Sequence, residues 1–240
     1  MSKPTNISNL LAISLTTLGL VGCAAKQTNN HVVSQAEWHQ ATNQVHQRYA
    51  DEVENRLKPY FTQANIAYPP QEIAMLTFKN QQMIELWAKD NQQSWQHIKN
   101  YPLTAYSGKL GPKLKRNDGQ IPEGIYKITH FNPYSSQHLS LMLNYPNQFD
   151  RQWARYDGRQ DLGDNIFIHG KAKSVGCLAI GNQAIDDIFV LVKEVGKENT
   201  KIIIAPNDLR KTSPIASKNT SPQWLPKLYQ QLASELSQYS

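Results

Sequence analysis

Apolar positions early in the chain recur at three-, four- and seven-residue spacing: Trp38, Val45, Tyr49, Val53, Leu57 and Tyr60. Such a stripe predicts one amphipathic helix. Ser34 is placed to cap its start, Glu37 completes a capping box, and Pro59 marks its end. From Ile73 the pattern shortens to β-type runs: IAMLTF, MIELWA, a longer run around HIKNYPLTAYSG, then GIYKITHF, LSLMLN and NIFIHG. Turn clusters such as NDGQIPEG and NPYSS separate them. Asn182 can then cap a helix with Ile185, Ile188, Phe189 and Val192 on one face and Gly196 past its end. KIIIA, residues 201–205, reads as a buried strand. Residues 207–221 have a linker composition, and SPQWLPKLYQQLASELSQY restores helical periodicity. The expected fold is mainly β with flanking helices (α+β): a domain over 73–206 after a helical region, 35–72, and before a linker and C-terminal helix, 207–240.

The first 22 residues follow another pattern. LLAISLTTLGLVG is too short to cross about 30 Å of hydrocarbon but has the length of a signal-peptide core. It ends in LVGC, which resembles the lipobox of bacterial lipoproteins, where cleavage precedes a cysteine that then carries lipid. That resemblance makes residues 1–22 a signal peptide, Cys23 a lipidation site and 23–34 a tether. With Ala24 after the cysteine, it implies a periplasm-facing lipoprotein of the outer membrane.

Composition narrows the classes. At 240 residues, 40% hydrophobic and 18% charged, the chain is too apolar for a disordered one. Its net charge of +6 becomes +5 once Lys3 leaves with the signal, which suits an anionic surface or cell-wall carboxylates. The basic segment KLGPKLKR, 109–116, reads as a solvated loop face. No nucleic-acid motif accompanies it, so no nucleic-acid partner is expected.

The chemistry concentrates in IFIHGKAKSVGCLAIG, residues 166–181, which holds one of the two cysteines. Export implies an oxidising compartment, yet lipidation of Cys23 would consume the only disulfide partner of Cys177. No CxxC or HExxH spacing accompanies Cys177, so no metal is expected. His169 sits where a strand meets a loop, and Gly170 and a short loop return the chain to Gly176 and Cys177. That loop can bring imidazole within hydrogen-bond reach of the thiol. Lys171 and Lys173 would further favour thiolate, and amides around Gly176 could cradle an oxyanion. The residues alone leave a nucleophile and a buried thiol both open.

HG at 169–170 followed by SVGC at 174–177 resembles the signature of the YkuD-type L,D-transpeptidase catalytic domain. YSGKLGPKLKRNDGQIPEGIYKI, 106–128, and NYPNQFDR, 144–151, resemble further segments of that family in the expected order. The commoner motif carries a second histidine and an arginine where this chain has Val175 and Ala179. The compact spacing resembles the murein L,D-transpeptidase subgroup. The resemblance implies a β-sandwich or barrel in which Cys177 is the nucleophile, His169 its base, and Gly176, Gly170 and Ser174 support the oxyanion and loop. It implies acyl transfer on peptidoglycan stem peptides without a cofactor, to an amine or a cell-wall-attached lipoprotein. Hydrolysis on the same fold and a non-catalytic peptidoglycan-binding lipoprotein are the alternatives. Lys171, Lys173, Arg151 and Arg155 are candidates for stem-peptide carboxylates, and Tyr145 and Tyr134 for the cleft wall. Ser174 could equally serve ordinary turn chemistry, and His130, His138 and the Pro122–Glu123–Gly124 turn read as structural.

Overall fold

A computed structural model describes residues 33–91, 94–215 and 221–240. The signal segment, Cys23 and nearly all of the tether lie outside the described residues. The element order is α1 (Gln35–Gln63), β1 (Glu72–Phe78), β2 (Met83–Lys89), β3 (Gln96–Pro102), β4 (Gly124–Asn132), β5 (Ser140–Leu143), α2 (Gln148–Tyr156), β6 (Phe167–His169), β7 (Leu178–Ala179), α3 (Asn182–Val195), β8 (Thr200–Ala205) and α4 (Leu225–Leu236). One eight-stranded sheet runs β3-β2-β1-β8-β4-β5-β6-β7. Its neighbours are antiparallel except for β1–β8 and β6–β7.

The near-continuous apolar runs are explained by burial on both faces. Side chains alternate along a strand. Ile73 and Met75 of β1, with Ile202 and Ile204 of β8, enter a core shared with Val53, Leu57 and Phe61 of α1 and Ile188, Phe189 and Val192 of α3. Ala74, Leu76, Phe78, Ile203 and Ala205 point the other way, into a second core with Trp224, Leu228, Tyr229 and Leu232 near or on α4. A sheet covered on both sides cannot show the apolar–polar alternation of a half-exposed one.

Several boundaries differ from the sequence expectation. The Ser34–Glu37 capping box forms, but α1 continues past Pro59 to Gln63. Proline forfeits the bond its own N–H would make and crowds the carbonyl four residues back, but the helix continues, with Phe61 buried in its last turn while Tyr60 faces out. The N-cap of α3 is Gly181 (φ +83°) rather than Asn182, whose side chain is used elsewhere. Helix α2 was not expected: Asn147 and Asp150 form a reciprocal capping box inside NYPNQFDR. The segment after β8 is built rather than open at its start. Asn207 and Asp208 are buried, and the Asn207 amide donates to Thr212 and Ser213. Among the described residues no helix is long and apolar enough to cross a membrane.

Candidate active site

His169 closes β6, and the parallel pairing of β6 with β7 aligns Ile168 with Leu178 and His169 with Ala179. Cys177 stands directly before β7, so the β6–β7 pairing brings the chain segments of the nucleophile candidate and the base candidate side by side. His169 is buried, and its Nδ1–H donates to the Gly170 carbonyl at 2.7 Å, which leaves Nε2 as the atom able to accept a proton. Burial pulls the imidazole below its usual range, partly offset by that carbonyl.

The thiol does not meet the imidazole as the loop spacing led us to expect. Cys177 Sγ–H instead donates to the Asn165 carbonyl at 3.7 Å. Burial pushes the thiol up, while a hydrogen bond from the Phe167 backbone and the charge of Lys113 pull it down. The resting pair is thus neutral thiol and neutral imidazole. The expected cations are also replaced: Lys171 is exposed and its ammonium binds the Ser136 carbonyl, and Lys173 is exposed. The cation that acts on the sulfur is Lys113, buried and paired with Asp118 at 2.6 Å.

The segment before the thiol is clamped from a remote part of the chain. Gly176 has φ +93°, and a Cβ there would lie 2.9 Å from the Gln120 carbonyl oxygen, so both conformation and contact require glycine. Its N–H donates to Ser107 Oγ at 2.7 Å, so this amide is not an open oxyanion donor, contrary to expectation. Ser107 Oγ donates in turn to the Gly119 carbonyl at 2.9 Å. Ser174 Oγ donates to the Cys177 carbonyl at 2.6 Å, which gives it a role in loop geometry. Gly170 is pressed by the Gln137 carbonyl and by Asn182 Oδ1, at 2.7 and 2.8 Å from where a Cβ would stand. Asn182 Oδ1 accepts from the Lys171 N–H, and Thr104 Oγ1 donates to the Lys171 carbonyl.

Other expected site residues lie apart from this cluster or serve packing. Tyr145 is buried with its hydroxyl donated to the Leu162 carbonyl, so its ring and hydroxyl are committed to the core and unavailable to a cleft. Tyr134 is exposed and packs edge-on against Trp38 of α1. Arg151 and Arg155 are exposed on α2. His138 pairs with Asp186 at 2.7 Å, in the structural role expected of it, whereas His130 is exposed on β4. The basic segment 109–116 is not a freely solvated face: besides Lys113, Arg116 binds Asp161 and Asp164. Ser107, Lys113, Asp118, Gln120 and Asn165 were missed. The stretch 106–128 was marked by its resemblance to a family segment and by the Asn-Asp-Gly turn at 117–119, but nothing in its spacing ties these residues to Cys177.

Behind this loop lies a buried ion pair. Lys79 and Glu123 meet at 2.9 Å, with both side chains fully buried. Glu123 also accepts from the Gly111 N–H and the Tyr229 hydroxyl of α4, and Lys79 donates to the Gly111 and Ile121 carbonyls. The Pro122–Glu123–Gly124 turn is structural, as expected: its carboxylate and Lys79 hold Gly111, and Lys79 also holds Ile121, at the two ends of the 111–121 loop.

A mixed sheet carrying a histidine and a cysteine on adjacent strand ends defines an α+β fold with a cysteine-centred candidate site. The family model described as L,D-transpeptidase catalytic domain (YkuD) matches residues 73–204, and the chain belongs to that family. It is 33% identical over 134 residues to "Putative L,D-transpeptidase YafK" of Escherichia coli K12, covering 54% of this chain and 52% of that protein. The chain thus spans about half the length of the curated relatives it matches. Among solved structures it resembles the helical cell shape determining protein Pgp2 of Campylobacter jejuni (TM-score 0.46, 19% identity, 61% of this chain and 50% of that one). It also resembles Bd1075 of Bdellovibrio bacteriovorus (TM-score 0.42, 21% identity, 72% and 57%).

Proposed function

We propose that this protein is a cysteine-dependent acyl transferase acting on peptidoglycan stem peptides, exported and held in the envelope by lipid on Cys23. What supports the reading is the position of Cys177 directly before β7, the parallel neighbour of the strand that ends in His169, within a chain of the L,D-transpeptidase family. In the first half-reaction Cys177 sulfur attacks the carbonyl carbon of a diaminopimelate residue. The thiol proton passes to Nε2 of His169, the acyl–nitrogen bond breaks, and the imidazolium returns the proton to the departing amine. The product is a thioester on Cys177. An amine acceptor then yields a new amide and regenerates the thiol, whereas water yields a free carboxylate. Neutral imidazole is the competent base, and the burial of His169 keeps it neutral.

Peptidoglycan fragments incubated with the protein, with and without an added D-amino acid, test this by mass spectrometry. A fragment that exchanges its terminal residue for the added amino acid supports transfer, and a gain of water alone assigns hydrolysis. Unchanged fragments, or equal conversion by Cys177→Ala, overturn the reading.

A further inference from the structure

We propose that Ser107 is a positioning residue for acyl transfer: it holds the Gly176 peptide so that the N–H of Cys177 itself serves the oxyanion. The proposal rests on the reading of Cys177 as an acyl-accepting nucleophile. Ser107 lies sixty-nine residues before Gly176, in a segment the reaction otherwise does not use.

Its hydroxyl has one proton, donated to the Gly119 carbonyl at 2.9 Å. A lone pair is thereby fixed toward Gly176, whose N–H it accepts at 2.7 Å. The same Gly119–Gln120 backbone fills the place a Cβ on Gly176 would occupy. On the far side of the nucleophile, Ser174 holds the Cys177 carbonyl at 2.6 Å. The backbone is therefore held at the Gly176 N–H ahead of the nucleophile and at the Cys177 carbonyl after it, by two serines whose oxygens are 3.4 Å apart. With the Gly176 N–H committed to Ser107, the donor left on the nucleophile's own residue is the Cys177 N–H. Its direction depends on the Gly176 conformation, which no L side chain but glycine's adopts readily at φ +93°. Oxyanion donors act through preorganisation, so a peptide free to rotate would lose the benefit without losing the thiol.

That separation gives the test. p-Nitrophenyl acetate acylates a thiol through a tetrahedral oxyanion: the sulfur–carbon bond forms, the aryl oxygen–carbon bond breaks, and p-nitrophenolate leaves while the thiol proton passes to His169. Iodoacetamide alkylates the same sulfur by displacement of iodide, with no oxyanion. Ser107→Ala is expected to slow acylation about tenfold, the loss expected of one hydrogen bond, and to leave alkylation and its pH profile unchanged. Ser107→Thr, which keeps the hydroxyl, is expected to stay within about threefold of the parent.

Equal acylation by parent and Ser107→Ala overturns the proposal. So does parallel slowing of both reactions, which would mark Ser107 as general loop packing, and so does a Thr variant as slow as the Ala variant. Because the ratio of the two rates is measured on the same sample, partial loss of folded protein cancels. If Cys177→Ala reacts with the ester as fast as the parent, it is the nucleophile reading that fails instead.

Discussion

Replacing Glu123 by Gln would remove the negative partner of a fully buried lysine while keeping its shape. The amide can still accept one bond, so the hydrogen-bond frame around Gly111 and Tyr229 is only partly lost. The Lys79 ammonium, however, would be left among the Gly111 and Ile121 carbonyls with no counter-charge. Two responses are open to it. Staying charged costs about 3–5 kcal/mol, the usual penalty for breaking a buried pair. Shedding its proton at pH 7 costs about 4–5 kcal/mol, from about 1.4 kcal/mol for each pH unit below an unfolded lysine value near 10.4. Burial already holds Lys79 below the usual lysine range, so the second route is accessible. Both routes predict a loss near 4 kcal/mol, or about 8–16 °C of Tm in a domain of this size. They differ in pH dependence. If folded Lys79 is neutral in the variant, the unfolded state binds the extra proton, and the deficit shrinks by about 1.4 kcal/mol per pH unit between pH 7 and 10. Urea unfolding followed by tryptophan fluorescence at pH 7, 8 and 9 measures this, with Lys79→Met/Glu123→Gln restoring part of the loss. A Glu123→Gln variant within 1 kcal/mol of the parent at pH 7, and no less stable than the double variant, would refute the reasoning.

Gly176→Ala must accept a left-handed φ, at about 1–2 kcal/mol, and a Cβ 2.9 Å from a backbone oxygen that cannot swing aside. We expect a fall of about 2–3 kcal/mol in urea unfolding, or a smaller fall with ester acylation reduced more than tenfold; parental values in both assays would count against the clamp. The pH profile of acyl transfer should show an acid limb below the usual histidine value of 6.5, because the proposed base is neutral His169 and burial lowers its proton affinity. Iodoacetamide alkylation should rise with a midpoint above the ordinary thiol value of 9.0. His169→Ala should abolish the acid limb and slow acylation about 100-fold or more, whereas an unchanged limb would remove His169 from the reaction.

What was legible in the chain was whatever depends on local pattern. The α1 capping box, the two-sided strands β1 and β8, and the apolar face of α3 follow from spacing and side-chain type, and the structure bears them out. His169 and Cys177 were singled out by resemblance, from HG at 169–170 and SVGC at 174–177, since their spacing alone left a nucleophile and a buried thiol both open. What escaped was contact between distant segments. Ser107 is an ordinary serine until the fold sets it against Gly176, and Lys113 reads as one of several loop cations until burial and Asp118 single it out. Lys171 failed for the converse reason: proximity in sequence to Cys177 put it near the thiol on paper, while its ammonium bonds the carbonyl of Ser136, brought up from an earlier segment. Helix α2 was hidden because its capping residues sit in a stretch read as a turn.

The electrostatics of the pair bear on how the reaction starts. Burial raises the thiol and lowers the imidazole, so both shifts favour the neutral pair over thiolate and imidazolium. Attraction between the two charges would oppose that cost. The resting thiol forgoes it, because Sγ is turned to the Asn165 carbonyl. A substrate that displaces this contact and turns the sulfur toward Nε2 would recover the attraction and favour the ion pair. Activation would then be delivered by substrate binding instead of being stored in the free protein. Were the protein exported as proposed, that arrangement would have a direct benefit: the thiolate, the form that oxidants attack, is scarce until an acyl donor is in place.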